Sequence, residues 1–566
     1  MMMRKIFAFS LFIGLITFST ISFACTNFIV TKGASTDGSV MVSYAADSHQ
    51  LYGDLYYYAA AEYPKGTMLK IYEWDTGKYL GEIPQVERTY NVVGNVNEFQ
   101  VAIAETTYGG REELVNPEGI IDYGSLIYTT LQRAKTAREA IKIMTELMDA
   151  YGYCSSGESF SVIDKNEAWV FEVIGKGPGN KGAVWVAMLI PDGYVCAHAN
   201  QARITTFPYQ KKNNWNDTKQ TVYNSKDVIS FAKDKGYFSG KDEEFSFSDT
   251  YAPVDFSAAR FCELRVWAFY NHIASGMDKY WGYATGNDIQ YGAHGYATNR
   301  MPLWIKADRK LSQKDLFKFM GDHLEGTELD MSKDFGAGPF GVPYRWRPMT
   351  WDIDGVKYVH ERTTATQQTG FSFIAQLRSW LPDQIGAINW FGADDAATTV
   401  YVPMYASITE IPYPFKTGNG DLMNFTMESA FWIFNMVSNF AYTRYNAMYP
   451  EIEKVQDELH TKFIKDVENF DKKMVDVLKN DQPTAIKEIT QFSIDEANYT
   501  QERWTGLFGY LFTKYMDGNI KTPREVPEGY KYYAPKVEQP RYPDFWYREI
   551  VKDHGDKILD KGNQSH

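Results

Sequence analysis

The sequence predicts a layered α+β fold with a mainly helical C-terminal part, and three observations support this. Short β-rich runs separated by turn residues fill residues 25 to about 110. Residues 123–151 carry apolar side chains at helical spacing, and β-rich runs return after them. From about residue 422 the pattern is that of long helices. Blocks of strands that alternate with blocks of helices are typical of α+β domains.

The first predicted element is a β-hairpin. Residues 27–30 and 40–44 are β-rich, and the segment between them contains the turn residues Ser35-Thr36-Asp37-Gly38-Ser39. A turn centred near Thr36-Asp37 places Cys25 opposite residues 47–50. We therefore expect the carboxylate of Asp47 within side-chain reach of Cys25.

The remaining elements follow from the same patterns. Further strands are predicted at residues 91–94, 100–104, 159–164, 168–174, 183–189 and 398–402. Helices are predicted at residues 123–151, 256–270, 313–323, 423–448, 452–478 and 485–515, with a break at Tyr449-Pro450. The residues after 521 are rich in Pro, Tyr and Lys, and we expect them to wrap the surface.

Composition and charge exclude several classes of function. The chain has 566 residues, 44% of them hydrophobic, and a net charge of −13. An acidic chain without a basic block is a poor candidate for binding nucleic acid or an anionic membrane. Beyond the N-terminal segment no run of about 20 apolar residues predicts a membrane span. The nine histidines are scattered and the four cysteines form no CxxC pair, so we expect no metal and no cofactor.

The N-terminus has the three parts of a secretory signal. Arg4 and Lys5 give a positive start, residues 6–21 are mostly apolar, and Ser22 and Ala24 are small residues at the −3 and −1 positions of a cleavage site. Cleavage after Ala24 makes Cys25 the first residue. We therefore predict a signal peptide at residues 1–24 and an exported protein, periplasmic or secreted.

A cysteine at the N-terminus carries a nucleophile and a base on one residue. The α-amine has an ordinary pKa of about 7.7–8.0 and the thiol one of about 8.5, so proton transfer between them is nearly balanced near neutral pH. This is the arrangement of N-terminal-nucleophile catalysis. Two other interpretations remain open: the acylated cysteine of a lipoprotein, although Ser22 stands where such signals usually have an aliphatic residue, and an ordinary structural cysteine.

Several blocks of the sequence resemble the C69 dipeptidases, which are N-terminal-nucleophile hydrolases related to choloylglycine hydrolases and penicillin V acylases. The resemblance covers most of the chain after residue 24. Its opening block is the most specific part. The blocks are residues 25–30, 32–39, 46–48, 105–107, 198–203, 257–261, 297–304 and 376–382.

The resemblance implies a fold and a set of site residues. The fold is a four-layer αββα sandwich. Cys25 is the nucleophile, Asp47 positions the terminal amine, Asn200 helps to hold the oxyanion, and Arg260 stabilises the developing charge. Glu105, Thr106 and Thr107 occupy the neighbourhood of substrate and of a second oxyanion donor. That donor is Asn in the bile-salt hydrolases and is not Asn here.

The chain also departs from the family pattern three residues before Asp47. Many relatives have Arg there, whereas this chain has Tyr44. Arginine lowers the pKa of a thiol by its charge, but tyrosine only forms hydrogen bonds. Another cation is therefore expected near Cys25, with Arg260 as the candidate, or else the thiol is less activated.

We predict an exported cysteine dipeptidase that needs no cofactor and acts on small peptides. Two alternatives stay open: an acyl-amide hydrolase of the bile-salt, penicillin V or acyl-homoserine-lactone type, and a non-catalytic, lipid-anchored binding protein. The predicted organisation is a signal peptide (1–24), a catalytic domain (25–420) and a helical C-terminal part with a tail (421–566). The sequence leaves open the residue preference, the oligomeric state, with a homo-oligomer as one option, and any disulfide among Cys154, Cys196 and Cys262.

Overall fold

The structure, a computed structural model, describes residues 25–562, so the predicted signal peptide lies outside the described residues. The strands are β1 (Thr26–Val30), β2 (Val40–Asp47), β3 (Tyr57–Tyr58), β4 (Ala61–Glu62), β5 (Met68–Tyr72), β6 (Tyr79–Pro84), β7 (Arg88–Thr89), β8 (Val92–Val93), β9 (Val96–Asn97), β10 (Val101–Gly109), β11 (Gly157–Asp164), β12 (Ala168–Gly175), β13 (Ala183–Leu189), β14 (Val195–His198), β15 (Val222–Asn224), β16 (Trp304–Ile305), β17 (Thr350–Ile353), β18 (Val356–Val359), β19 (Thr369–Leu377), β20 (Ala387–Ala393), β21 (Val402–Tyr405), β22 (Ile520–Thr522) and β23 (Lys536–Glu538). The helices are α1 (Tyr123–Leu131), α2 (Ala137–Tyr151), α3 (Val228–Asp234), α4 (Phe247–Tyr251), α5 (Leu264–Ile273), α6 (Trp281–Ala284), α7 (Gln313–Phe319), α8 (Asp383–Gly386), α9 (Ala430–Ala441), α10 (Tyr445–Asn480), α11 (Gln482–Tyr515) and α12 (Asp544–His554).

Two large antiparallel sheets form the body of the protein. The first has seven strands in the order β16-β14-β1-β2-β19-β20-β21, and the second has eight in the order β15-β13-β12-β11-β10-β9-β8-β3. Strands β1 and β2 of the first sheet contact β10 of the second, so the sheets pack on each other. Every residue of β2, β11 and β12 is buried, as expected for strands covered on both faces.

Helices pack against both sheets. Helices α1 and α2 form a hydrophobic core with β10 to β13 of the second sheet. Against the first sheet, α5 contacts β14, α7 contacts β19, α9 contacts β20, and α10 and α11 contact β21. The structure is therefore a mixed fold of antiparallel sheets and helices with a helical C-terminal part, which is compatible with the predicted α+β class.

The helix predicted over residues 123–151 is two helices. Helix α1 ends at Leu131 and α2 begins at Ala137. Thr136 has an extended backbone, and its side chain accepts a hydrogen bond from the backbone N–H of Glu139. An N-cap of this kind begins a new helix, and it interrupts the apolar spacing that the two helices otherwise share.

The helix break predicted at Pro450 is wrong, because Pro450 lies inside α10. A proline removes the hydrogen bond to the carbonyl four residues earlier, which here belongs to Asn446 in the first turn. Asn446 is exposed, so water can satisfy that carbonyl. The chain instead breaks before Tyr445, where Arg444 leaves the helical conformation.

The C-terminal tail lies on the surface, as predicted. Helix α12 has no buried residue, and the rings of Tyr542 and Trp546 stack on Phe340 and Phe335. The domain boundary at residue 420 stays a prediction. Within residues 25–562, no helix is both long and apolar enough to cross a membrane.

Candidate active site

Cys25 directly precedes β1, one of the central strands of the first sheet. Strand β1 pairs with β2 on one side and with β14 on the other. The register joins Thr26 to Ala45, so Cys25 comes opposite Ala46 rather than opposite residues 47–50. The shift arises because the connection contains a 3₁₀ turn at Lys32–Ala34 and is not a tight hairpin turn.

The thiol of Cys25 is buried among acidic and phenolic groups. Its Sγ lies 3.5 Å from Oε1 of Glu105 and 3.7 Å from the hydroxyl of Tyr44. Tyr44 in turn donates a hydrogen bond of 2.6 Å to the same Glu105 oxygen. Burial raises the pKa of the Cys25 thiol well above its ordinary value, and the charges of Glu105 and Asp47 raise it further. Forming a thiolate here therefore requires a base or a cation close to the sulfur.

Arg265 is an arginine that contacts Cys25. Its guanidinium donates to the carbonyl of Cys25 (2.6 Å), to the hydroxyl of Thr26 (2.8 Å) and to Oδ1 of Asn200 (2.8 Å). Burial lowers the pKa of Arg265 to about 10, with the nearby charge of Arg362 acting in the same direction, so the side chain is cationic at neutral pH. Arg265 fixes the backbone of Cys25 and one end of the Asn200 carboxamide.

Asn200 lies two residues beyond β14, where that strand passes Cys25. Strand β14 pairs His198 with Asn27, and the chain continues antiparallel to β1 towards Cys25. Nδ2 of Asn200 donates to the backbone carbonyl of Thr107 (2.7 Å). Asn200 has a φ of 59°, in the left-handed region that Asn tolerates better than most residues. Asn200 therefore lies beside Cys25, as its predicted role in holding the oxyanion requires.

Asp47 ends β2 and is fully buried. One carboxylate oxygen accepts hydrogen bonds from the side chain of Thr369 (2.6 Å), and the other pairs with the guanidinium of Arg362. The backbone N–H of Asp47 interacts with the thiol of Cys25 and lowers its pKa, partly opposing the effect of burial. Asp47 is thus next to Cys25, as expected, and Arg362 and Thr369 hold its carboxylate in place.

The segment 105–107 of β10 divides between two environments. Glu105 contacts the thiol, and the hydroxyl of Thr107 donates to Oε1 of Glu158 on β11 (2.6 Å). The hydroxyl of Thr106 lies 2.8 Å from Nδ1 of His198 instead, because neighbouring residues of a strand project to opposite faces. Glu105 and Thr107 therefore belong to the surroundings of Cys25, and Thr106 belongs to the contact between the sheets.

Comparison with known proteins gives the family of the chain. Residues 24–458 match the family described as Peptidase family C69. The chain belongs to peptidase family C69. It is 21% identical over 514 residues to the "Probable dipeptidase" of Latilactobacillus sakei, which covers 87% of this chain and 95% of that protein. It is 23% identical over 450 residues to "Dipeptidase A" of Lactobacillus helveticus, which covers 76% of this chain and 84% of that protein.

Membership of family C69 makes the chain a peptidase, and the cysteine type of that family agrees with the environment of Cys25. The relative "Probable dipeptidase B" of Lactococcus lactis subsp. lactis (strain IL1403) is 22% identical over 419 residues, covering 70% of this chain and 77% of that protein. The predicted resemblance to C69 is confirmed.

The position of Arg260 in this C69 peptidase differs from the expectation. Its guanidinium forms two hydrogen bonds with the carboxylate of Glu361, 2.7 and 2.8 Å long, and a third with the carbonyl of Thr285. The arginine that reaches Cys25 is Arg265, five positions later. Both arginines lie in the predicted helix 256–270, which begins as a π-helix (Ala258–Glu263) and continues as α5. Arg260 was assigned because it lies in the motif Ala-Arg-Phe, and no feature of the sequence favoured Arg265 instead.

The sequence prediction also missed Glu158. It lies on β11, where Thr107 is its cross-strand partner, and it is fully buried. Burial raises the pKa of Glu105, and burial together with the charge of Glu105 raises the pKa of Glu158 well above its ordinary value. The raised pKa of Glu158 favours its protonated form beside Glu105. A lone Glu between Gly157 and Ser159 carries no signal of such a pairing.

The other cysteines of the peptidase are structural. The structure shows Cys154, Cys196 and Cys262 as free thiols, so it forms none of the disulfides that the sequence left open. Burial raises the pKa of Cys154 and of Cys196 to about 12. Among residues 25–562, no cluster of His, Cys, Asp and Glu side chains has the arrangement of a metal site.

Proposed function

We propose that this protein is an exported dipeptidase that works by N-terminal-nucleophile catalysis after removal of residues 1–24. The observation that carries the proposal is the placement of Cys25 at the start of a central strand, with Asn200, Arg265 and Asp47 around it. The relatives named dipeptidase support the substrate class. The signal pattern before Cys25 supports the export and the free α-amine.

In the first step the α-amine of Cys25 takes the thiol proton, and the thiolate attacks the scissile carbonyl carbon. A carbon–sulfur bond forms, and the carbonyl oxygen becomes an oxyanion. The raised pKa of the thiol makes this base necessary, because Tyr44 and Glu105 next to the sulfur carry no positive charge. An adjacent base is the usual means of activating such a nucleophile.

Asn200 is the side-chain donor to the oxyanion in this proposal. Arg265 binds its Oδ1, which fixes the carboxamide: one N–H of Nδ2 donates to the carbonyl of Thr107, and the other is the oxyanion donor in this proposal. Removing one oxyanion donor from a hydrolase costs about 100- to 1,000-fold in kcat. Because Arg265 also holds the carbonyl of Cys25, it keeps the nucleophile and the donor at a fixed separation.

In the second step the ammonium of Cys25 gives its proton to the leaving nitrogen as the carbon–nitrogen bond breaks. A water molecule then attacks the thioester, and the amine takes a proton from that water. The resulting ammonium returns the proton to the sulfur as the carbon–sulfur bond breaks. The products are two amino acids, and the free thiol is restored. Asp47, rigidly held by Arg362 and Thr369, supplies negative charge beside the amine that cycles between these two forms.

The finer fold assignment belongs to the same proposal. The two packed sheets with helices against each of them are the layers that an αββα sandwich requires. We propose that residues 25–420 form this sandwich and that α9 to α11 extend it on the side of β21.

The proposal is tested with two forms of the protein that differ by one residue. One form begins at Cys25, and the other keeps Ala24, so that an amide replaces the amine. We expect the first to hydrolyse dipeptides and the second to be inactive, because an amide nitrogen is not basic at neutral pH. Liberated amino acids are measured for a panel of dipeptides and acyl amides. Equal activity of the two forms contradicts the N-terminal-nucleophile mechanism, and cleavage of acyl amides alone contradicts the dipeptidase assignment.

A further inference from the structure

Glu105 and Glu158 form a buried carboxyl pair beside the nucleophile. Their side chains are 2% and 0% exposed. Each has one oxygen with a hydroxyl donor: Tyr44 donates to Glu105, and Thr107 donates to Glu158. The other oxygen of each, Oε2, is buried and accepts no hydrogen bond from another residue between positions 25 and 562. Burial and the charge of Glu105 raise the pKa of Glu158 well above its ordinary value, which favours one proton on the pair, held by Glu158.

One proton leaves the pair with one negative charge. No side-chain ammonium or guanidinium group of residues 25–562 forms an ion pair with Glu105 or Glu158, and the charge of Asp75 raises the pKa of Glu158 further. A buried charge without a cation is costly, and buried charges in proteins are ordinarily paired. The surroundings of Cys25 therefore favour a ligand that brings a single positive charge.

The geometry says which part of a peptide carries that charge. Within one amino-acid residue, the α-nitrogen and the carbonyl carbon are about 2.5 Å apart. A carbonyl carbon poised for attack lies about 3–3.5 Å from the sulfur. The α-nitrogen of that same residue then lies within about 6 Å of Sγ, a range that includes Oε1 of Glu105 at 3.5 Å from the sulfur. An acyl amide would place an uncharged methylene group there.

We propose that Glu105 and Glu158 bind the α-ammonium group of the residue whose carbonyl Cys25 attacks, so that the enzyme selects peptides with a free N-terminus cleaved after their first residue. This inference rests on the proposed function. It also assigns a role to Tyr44: its hydroxyl holds the Glu105 carboxylate in place where an arginine would neutralise it.

The test measures binding rather than turnover, in the mature form with Cys25→Ala, which keeps an α-amine but has no thiol. Calorimetry compares a dipeptide that the active enzyme hydrolyses with its N-acetyl derivative. We expect the free dipeptide to bind about 100-fold more tightly than the acetylated one. Equal affinities overturn the inference, while hydrolysis of dipeptides by the active enzyme leaves the proposed function intact.

Glutamine variants in the same background locate the site. The double variant Glu105→Gln, Glu158→Gln removes the charge, and we expect a loss of about 100-fold for the free dipeptide and little change for the acetylated one. Glu496→Gln, a buried carboxylate paired with Lys462 in the C-terminal helices, is the matched control.

The outcomes separate the inference from its rivals. If the double variant loses both ligands equally while its unfolding temperature is unchanged, the pair shapes the site without recognising the ammonium, and the inference is wrong. If the double variant does not fold, the comparison of the free and the acetylated dipeptide in the Cys25→Ala form still tests whether the site recognises the α-ammonium group. If the active enzyme hydrolyses acyl amides and no dipeptide, the proposed function itself fails.

Discussion

Replacing Arg265 by lysine tests the central claim about the site. The substitution keeps the positive charge but not the planar fork that reaches the carbonyl of Cys25 and Oδ1 of Asn200 at the same time. A hydrogen bond that involves a charged group contributes about 1.5–3 kcal/mol. Losing one or two of them weakens the alignment of the nucleophile with the oxyanion donor by about 3 kcal/mol. That value corresponds to a fall in kcat of about 100-fold.

The matched control is Arg260→Lys, on the same helical segment. Its guanidinium binds Glu361 and makes no hydrogen bond to Cys25 or Asn200 among the described residues. We expect this variant to keep kcat within about threefold of the parent, because Arg260 touches neither Cys25 nor Asn200. Steady-state kcat and KM are measured on one dipeptide, and thermal unfolding shows that each variant is folded. If Arg265→Lys keeps its kcat while Arg260→Lys loses it, the reasoning from the structure is refuted and the sequence-based assignment to Arg260 stands.

Three further predictions use other groups. Cys25→Ser is expected to keep the fold and lose at least about 100-fold in kcat, since a hydroxyl is harder to deprotonate than a thiol. Cys154→Ser, the control, is expected to keep its activity. Equal losses of kcat in the two variants would contradict a single nucleophile. Burial raises the pKa of Glu105, and the hydrogen bond from the Tyr44 hydroxyl partly opposes this rise. Tyr44→Phe should therefore raise the pKa of Glu105 further and shift the acid side of the pH profile of kcat/KM to higher pH. An unshifted profile would contradict the role of the hydroxyl. Burial raises the pKa of Asp394 to about 7, above its unfolded value, so its contribution to stability is present at low pH and is lost as the pH rises from about 4 through 7. Asp394→Asn should therefore show a smaller fall of Tm between pH 5 and pH 8 than the parent protein. An unchanged fall would contradict this assignment.

The sequence predicted the elements whose patterns are local. The strand at residues 183–189 has the predicted bounds, and the long helix predicted at 485–515 is α11 (Gln482–Tyr515). Errors arose where a single residue decides the outcome. Thr136 begins a second helix because its side chain caps the backbone N–H of Glu139, and Pro450 is tolerated because the carbonyl that loses its donor belongs to the exposed Asn446. The spacing of apolar residues encodes neither a helix cap nor the exposure of one carbonyl to solvent.

The site was predictable only in part, for a related reason. Cys25 could be recognised from the signal pattern before it, and Asp47 from the strand pairing, although the register was shifted. Arg265 was not recognisable. Two arginines of one helical segment look alike in a helix pattern, and what distinguishes Arg265 from Arg260 is its hydrogen bond to the carbonyl of Cys25, 240 positions earlier in the sequence.

Thr107 shows how the two halves of the site depend on each other. Its hydroxyl donates to Glu158 of the carboxyl pair, and its carbonyl accepts from Asn200, the proposed oxyanion donor. Asn200 is held by Arg265, which also binds the carbonyl of Cys25, and the sulfur of Cys25 contacts Glu105. The interactions therefore form a closed ring around the nucleophile. In such a ring a displacement of the carboxyl pair passes through a single residue, Thr107, to Asn200, so the proposed recognition of the ammonium and the proposed stabilisation of the oxyanion would depend on the same residue.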